Sequence, residues 1–179
     1  MASRKYLGDY RLENVERNGK LKTVAVYRGK HYGFRNPEAL RKERPKLIAC
    51  AAAFWFFQLA ALTVRTRCAH YIFVIMPMAF AMLPFWFTSM GLYTALTVKG
   101  SMIHEQADKL ESRFSGGSLI AAALSGAALT GSFVVFFLIG QIPAAGDILF
   151  VFSAAAQTLA AVLCFRSRSC LKTEVVSDD

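Results

Sequence analysis

The sequence predicts an all-α membrane protein in which four transmembrane helices form two antiparallel hairpins, preceded by a small cytoplasmic β-meander of about three short strands. Three observations carry this prediction. The chain of 179 residues is 55% apolar with a mean hydropathy of +0.36, which exceeds the composition of ordinary soluble domains. Four long segments contain no Asp, Glu, Lys or Arg. The segment before the first of them is instead rich in charge and in strand-forming residues.

The uncharged segments are long enough to cross a bilayer as helices. They comprise residues 47–64, 71–98, 118–143 and 148–165. A helix needs about 20 apolar residues to span about 30 Å of hydrocarbon, and a helix satisfies its backbone N–H and C=O groups within one segment. We therefore expect transmembrane helices over residues 47–64, 71–98, 118–140 and 148–165. The short links between the first and second and between the third and fourth helices make each pair antiparallel.

The distribution of basic residues predicts the orientation. With four crossings, both termini lie on one side of the membrane. That side holds nineteen of the twenty-one Lys and Arg residues, and the other side holds only Arg65 and Arg67. Because Lys and Arg accumulate in cytoplasmic segments, we expect an integral, multi-pass protein with cytoplasmic N- and C-termini.

Residues 1–35 are expected to form a cytoplasmic β unit. Asn18-Gly19 separates two strand-like runs, and this dipeptide is a strong hairpin signal because type I′ turns need positive φ at both central residues. The second run, Lys22–Tyr27, is rich in β-branched and aromatic residues. Arg28-Gly29-Lys30 then turns the chain into a third strand over His31–Arg35, which completes the meander.

Residues 36–46 are interpreted as a basic elbow at the membrane interface. Asn36 is the predicted N-cap of a short helix with Pro37 at its first position, and Pro45 ends or bends that helix. Four basic side chains just before the membrane are expected to meet anionic lipid headgroups, each contributing about 1 kcal/mol: Arg41, Lys42, Arg44 and Lys46. A nucleic-acid surface is the alternative, but juxtamembrane basic clusters are mostly topology signals, so we expect no nucleic-acid partner.

Two further segments of the predicted membrane domain, residues 47–166, have distinctive patterns. The second uncharged run is 28 residues long, about 42 Å as a helix, so Pro77 and Pro84 should kink or shorten it. The loop between the second and third crossings predicts a cytoplasmic amphipathic helix over residues 101–114, stopped by Ser115-Gly116-Gly117. Residues 167–179 are expected to form a cytoplasmic tail.

Few side chains in the predicted membrane helices are of the types that bind ions or solutes or carry out catalysis. None of the four contains Asp, Glu, Lys or Arg, which disfavours a proton-coupled transporter. The polar residues near mid-membrane are Gln58, Gln157 and Thr158. They are interpreted first as interhelical hydrogen-bonding groups, each bond stabilising by about 0.6 kcal/mol, and alternatively as contacts to a transported solute.

His104 and Asp108 are the best candidates for a metal site, because their spacing of four places them on one helical face. A third ligand at suitable spacing is missing, so a solvated helix face is the favoured interpretation. The sequence contains no HExxH, GxSxG, Walker or dinucleotide-binding motif. We therefore expect no metal, no cofactor and no enzymatic activity.

The third crossing carries two rows of small residues at intervals of four. One row is Ser118, Ala122, Gly126 and Thr130, and the other is Ala123, Ala127 and Gly131. Such rows allow helix backbones to approach closely in a membrane, where lipid is as apolar as any side chain. The favoured partner is the fourth helix of the same chain. The aromatic first and second helices could fill against the remaining small residues and close an intramolecular bundle, which is the favoured interpretation, or the spare row could serve a second copy of the protein or another membrane protein.

The sequence therefore favours a non-catalytic accessory, scaffold or assembly subunit of a membrane complex. A small, oligomeric transporter or channel for a neutral or lipophilic solute is the alternative, and an enzyme acting on lipids comes third. The outline of a four-helix membrane protein alone assigns none of these functions.

Overall fold

The computed structural model describes residues 4–17, 20–98, 100–139 and 144–176. It has the predicted architecture: an integral, multi-pass helical protein with four helices long and apolar enough to cross a membrane. The first membrane helix is α1 (Pro37–Thr63), and the second is divided into α2 (Ile72–Phe80) and α3 (Met82–Thr97). The third and fourth are α4 (His104–Ile139) and α5 (Ala145–Arg166). Within the described ranges five strands accompany them: β1 (Tyr10–Arg17), β2 (Lys20–Tyr27), β3 (His31–Phe34), β4 (Met102–Ile103) and β5 (Thr173–Val175).

The helices expose large apolar side chains on their outer surface. At least half of the side chain is exposed at many positions in all four membrane helices, and Phe137 reaches 89%. Extensive apolar exposure of this kind marks a surface that lies against lipid or another protein. Representative exposed residues are Phe56, Leu59, Ile72, Leu83, Trp86, Phe133, Leu138, Phe152 and Leu159.

The basic elbow is the first part of α1 rather than a separate helix. The Asn36 side chain accepts a hydrogen bond of 2.9 Å from the Ala39 N–H, which confirms the predicted cap. Pro45, however, does not end the helix, which continues to Thr63. A proline removes only one backbone donor, and here the burial of Leu40 and Leu47 on either side of it holds the helix together.

The second crossing is interrupted where the prolines predict it. α2 ends at Phe80 and α3 begins at Met82, with Ala81 between them. Pro84 has no N–H to donate to the carbonyl four residues earlier, so the helical ladder is weakened at this point. The interruption lies against α1, where the Gln58 side-chain amide donates to the Met78 carbonyl at 3.1 Å.

The predicted stop at Ser115-Gly116-Gly117 is wrong. α4 runs without a break from His104 to Ile139, so the expected amphipathic helix and the third crossing form one element. The physical reason is packing. A Cβ built at Gly117 would lie only 2.4 Å from the Pro84 carbonyl oxygen of α3, so glycine is needed here for close approach of two backbones.

Three glycines bring α4 and the divided second helix close together along their whole length. A Cβ at Gly91 would lie 3.3 Å from the backbone nitrogen of Phe114, and one at Gly131 would lie 3.1 Å from Val74. Gly117 lies between these two points, against Pro84. The contacts advance along α4 as they retreat along α3 and α2, so the two helices are antiparallel. Contact between small residues is the usual basis of such packing in membranes.

The four membrane helices are not arranged in the order of the sequence. α4 lies between α5 and the α2–α3 pair, and the main neighbour of α1 is α5. The space between α1 and α3 is filled by aromatic side chains. Phe54 stacks on Phe85 with ring centroids 3.6 Å apart, and the Trp55 indole N–H donates to the Ser89 hydroxyl at 3.0 Å.

The connection between the first two crossings is fastened to the start of α5. The carboxylate of Asp147, only 1% exposed, accepts hydrogen bonds of 2.8 Å from both the Thr66 hydroxyl and the Arg67 N–H. It also accepts from the Ala144 N–H at 3.0 Å. A Cβ at Gly146 would lie 2.2 Å from the Arg65 carbonyl oxygen, so the backbones nearly touch. These contacts hold the two hairpins together on this side.

The opposite end of the bundle, which we call the terminal side, carries both sheets. β1 and β2 form a two-stranded antiparallel hairpin, whose predicted turn at Asn18-Gly19 lies outside the described residues. The third predicted strand forms but does not extend this hairpin. β3 is instead the central strand of a second sheet, between β4 and β5. The predicted tail is thus partly folded, with Leu171 only 1% exposed.

We predict that Gly117→Ala destabilises the protein by about 1–3 kcal/mol, because the added methyl group overpacks a backbone contact. Gly126→Ala is the matched control. Its Cβ would meet only the Thr158 methyl group at an ordinary 3.8 Å, and alanine favours helix by up to about 1 kcal/mol. Thermal unfolding of both variants in the same detergent measures the difference. Equal midpoints for the two variants would contradict the close approach of α3 and α4.

Candidate functional site

The small residues of α4 do not all share one surface. Gly131 is buried against α2, and Gly126 lies nearest to Thr158 of α5. Ser118 is fully buried and Ala122 is half-buried. The remaining members, Ala123, Ala127 and Thr130, are exposed on the outer face of the bundle. Neither row therefore forms a single interface. The reason is geometric, because positions four apart advance about 40° around a helix at each step.

The line that is buried has a spacing of seven rather than four. Ser118, Ser125 and Ser132 are fully buried. Each donates its hydroxyl to the carbonyl four residues earlier, at 2.7, 2.8 and 2.8 Å respectively. The serine hydroxyls are therefore satisfied as donors within their own helix, and that of Ser132 also contacts the thiol of Cys68. The spacing of seven between these serines is a signal in the sequence, but the small residues at intervals of four are more numerous and gave the stronger pattern.

Gln58 and Gln157 are both fully buried in the interior of the bundle. Gln58 forms the hydrogen bond to Met78 and so acts between helices, but its Oε1 has no partner among the described residues. Neither the oxygen nor the nitrogen of the Gln157 amide has one. Thr158 donates its hydroxyl back to Ala154 within α5 at 2.8 Å. Buried side-chain amides without partners are rare in folded proteins.

The two glutamines lie at a similar level along the helix bundle. The thiols of Cys50 on α1 and Cys164 on α5 contact each other, which fixes the relative position of these antiparallel helices. Gln58 lies eight residues beyond Cys50, and Gln157 lies seven residues before Cys164. These separations correspond to about 12 Å and about 10 Å along the two axes. The structure thus places at a similar level two polar residues that are distant in the sequence.

His104 lies in a cluster that joins the N-terminal segment to α4. Its Nδ1 is 3.2 Å from the Asp9 carboxylate, and its Nε2 is 3.9 Å from the Asp108 carboxylate. Tyr6 packs edge-on against the imidazole, and Tyr32 stacks on it with centroids 5.1 Å apart. The described residues contain no group of three or more ligands suited to a metal ion. The cluster instead fastens the base of the β1–β2 hairpin.

The four basic residues of the elbow have different surroundings. Lys46 forms an ion pair with Glu43 at 3.0 Å, and Lys42 is exposed. Arg41 and Arg44 line a cavity of about 380 Å³ beside the end of α3, and the Arg44 Nε is buried with no hydrogen-bond partner in the described part of the chain. The sequence alone could not distinguish these four residues, because the distinction depends on a contact with a distant helix.

All four cysteines are buried as free thiols. Cys68 lies in the connection between the first two crossings, outside the membrane helices. Burial raises the pKa of its thiol above the usual range, so it stays protonated at neutral pH and is a poor nucleophile.

Comparison with known proteins yields no match among protein-family models, curated proteins or solved structures. The function must therefore be argued from the contacts in this chain alone.

We predict opposite effects for two glutamine substitutions. Gln58→Leu should destabilise the protein by about 1 kcal/mol, because it removes the bond to Met78. Gln157→Leu should leave stability unchanged or raise it by about 1 kcal/mol, since it removes unpaired polar atoms from the interior. Thermal unfolding in detergent compares the two. Strong destabilisation by Gln157→Leu would mean that its amide has a partner beyond the described contacts.

Proposed function

We propose that the protein is a non-catalytic accessory or scaffold subunit of a membrane complex, which binds its partner chiefly through the β1–β2 hairpin. One observation carries the proposal. The hairpin consists of two strands only, and neither outer edge pairs with another strand among the described residues. A two-stranded ribbon is marginally stable alone. Unpaired edges are also templates for strands of other proteins.

The composition of the hairpin surface supports binding rather than solvation. Leu12 is 77% exposed and Val24 is 46% exposed. These side chains are on opposite faces, because Leu12 pairs with Ala25 and Val24 pairs with Glu13. The base of the hairpin is fastened by the Arg28 N–H, which donates to the Asp9 carbonyl at 2.7 Å. A partner that covered the hairpin would bury these apolar side chains and stabilise the ribbon.

The orientation and the membrane face of the proposed complex follow from charge and shape. We place the terminal side in the cytoplasm, because nineteen of twenty-one Lys and Arg residues belong to segments on that side. The partner would then be cytoplasmic or have a cytoplasmic part. A helix of the same partner would fit against the exposed small residues Ala123, Ala127 and Thr130 of α4.

Extraction from the native membrane into nanodiscs, followed by intact-complex mass determination, tests the proposal. We expect a foreign subunit in fixed stoichiometry, which Leu12→Glu releases because it places a charge on the hairpin. Val175→Glu is the matched control: it introduces the same charge at a half-exposed valine of the other terminal-side sheet. Ala127→Leu reports separately on the membrane face. A monomer, a homo-oligomer, or equal loss of the subunit in both glutamate variants would contradict the proposal.

A second candidate function is supported by the buried glutamines. A transporter or channel for a neutral solute needs polar groups in mid-membrane, and the unpartnered amide of Gln157 is such a group. In this case Gln58→Leu and Gln157→Leu would abolish solute flux into vesicles while the protein stays folded. Unchanged flux in both variants would exclude this path.

A further inference from the structure

The cavity beside Arg41 and Arg44 lies at the boundary between the membrane and the terminal side. Its lining comes from Phe34 of β3, from the start of α1, and from Val98 and Gly100 just after α3. The uncharged run of α1 begins at Leu47, three residues after Arg44, and the uncharged run of the second crossing ends at Val98, which lines the cavity. Two independent helices therefore place the cavity at the level of lipid headgroups.

The lining of the cavity combines two guanidinium groups with an apolar floor. Arg41 and Arg44 are the charged members, and the remaining side chains are apolar or absent: Phe34, Pro37, Leu40, Val98 and Gly100. Leu40 is 3% exposed and forms part of the main core, so the floor is continuous with the packed interior. The cavity volume of about 380 Å³ falls in the range of about 300–1,000 Å³ that is usual for small-ligand sites.

Arg44 is half-buried and Arg41 is exposed, and neither has the carboxylate that normally pairs a partly buried cation such as Arg44. Neither forms an ion pair or a side-chain hydrogen bond with any described residue, and the Arg44 Nε is shielded from solvent. The nearest acidic residue in the helix, Glu43, is instead paired with Lys46. Burial of an unpaired charged donor is costly. An anion in the cavity would remove that cost.

We propose that Arg41 and Arg44 form a discrete binding site for a phosphate group, that of an anionic phospholipid in the leaflet on the terminal side. Phosphate matches guanidinium, because planar N–H donors bind its oxygens in pairs. The apolar floor then accommodates the glycerol and the first methylenes of the lipid. Lys42 and Lys46 attract the same lipids only through diffuse surface charge.

Native mass spectrometry of the full-length protein tests the site, with phosphatidylglycerol and phosphatidylcholine of identical acyl chains as probes. We expect preferential retention of phosphatidylglycerol. The double variant Arg41→Gln/Arg44→Gln should reduce that retention by about tenfold or more, as expected for the loss of a charged hydrogen bond. Lys42→Gln/Lys46→Gln is the matched control, because it removes the same net charge from the same helix outside the cavity.

Three results would overturn the proposal. Equal losses in the two double variants would show diffuse attraction, and equal retention of both lipids would show that the phosphate site does not select an anionic headgroup. Displacement of phosphatidylglycerol by millimolar inorganic phosphate, dependent on the arginines, would identify a soluble phosphate as the ligand instead. Arg44→Lys keeps the charge and the fold but removes the guanidinium, so it should still lose part of the retention.

Discussion

The fold depends on the close approach of α4 to the divided second helix. Membrane helices gain nothing from the hydrophobic effect on each other, so association requires backbones that can come near. Gly91, Gly117 and Gly131 provide that approach at three levels. This contact occupies the face of α4 that the serine line also shares, and it leaves α5 to pack on the adjacent face. α1 is then excluded from α4 and packs on α5, while aromatic rings fill the space toward α3.

The same constraint explains how the terminal side is organised. Because α4 continues unbroken beyond the bundle, its first turns lie beside the N-terminal segment and the end of α5. The Glu111 carboxylate accepts hydrogen bonds from the N–H and the hydroxyl of Thr173, at 2.6 and 2.8 Å, which fixes β5. His104 fastens the base of the hairpin. Residues from four parts of the chain thus form one platform. The β1–β2 hairpin extends from it, and its outer edges pair with no other strand in the described part of the chain.

The sequence predicts where the helices and strands of this protein lie better than it predicts which elements pack against each other. Uncharged length located the four crossings, and Pro77 and Pro84 located the break, because both signals are local. The third strand was also predictable, but its pairing with β4 and β5 was not, since strand partners depend on where the helices place distant segments. Gly117 shows the limit most clearly. Glycine is usually a helix terminator in a sequence, and only the position of the Pro84 carbonyl turns it into a packing residue. The sequence likewise could not distinguish Arg41 and Arg44 from Lys42 and Lys46, because the cavity that the arginines line depends on the position of a distant helix.

Oxidative cross-linking of the native cysteines in the membrane tests the helix arrangement most directly. If α4 excludes α1 and directs it to α5, the contacting thiols of Cys50 and Cys164 should form an intramolecular disulfide. Mass spectrometry should then find one linked peptide pair, absent in Cys50→Ser, with Cys68 and Cys170 still reduced. Free Cys50 and Cys164 after oxidation, or linkage of either to another cysteine, would contradict the arrangement.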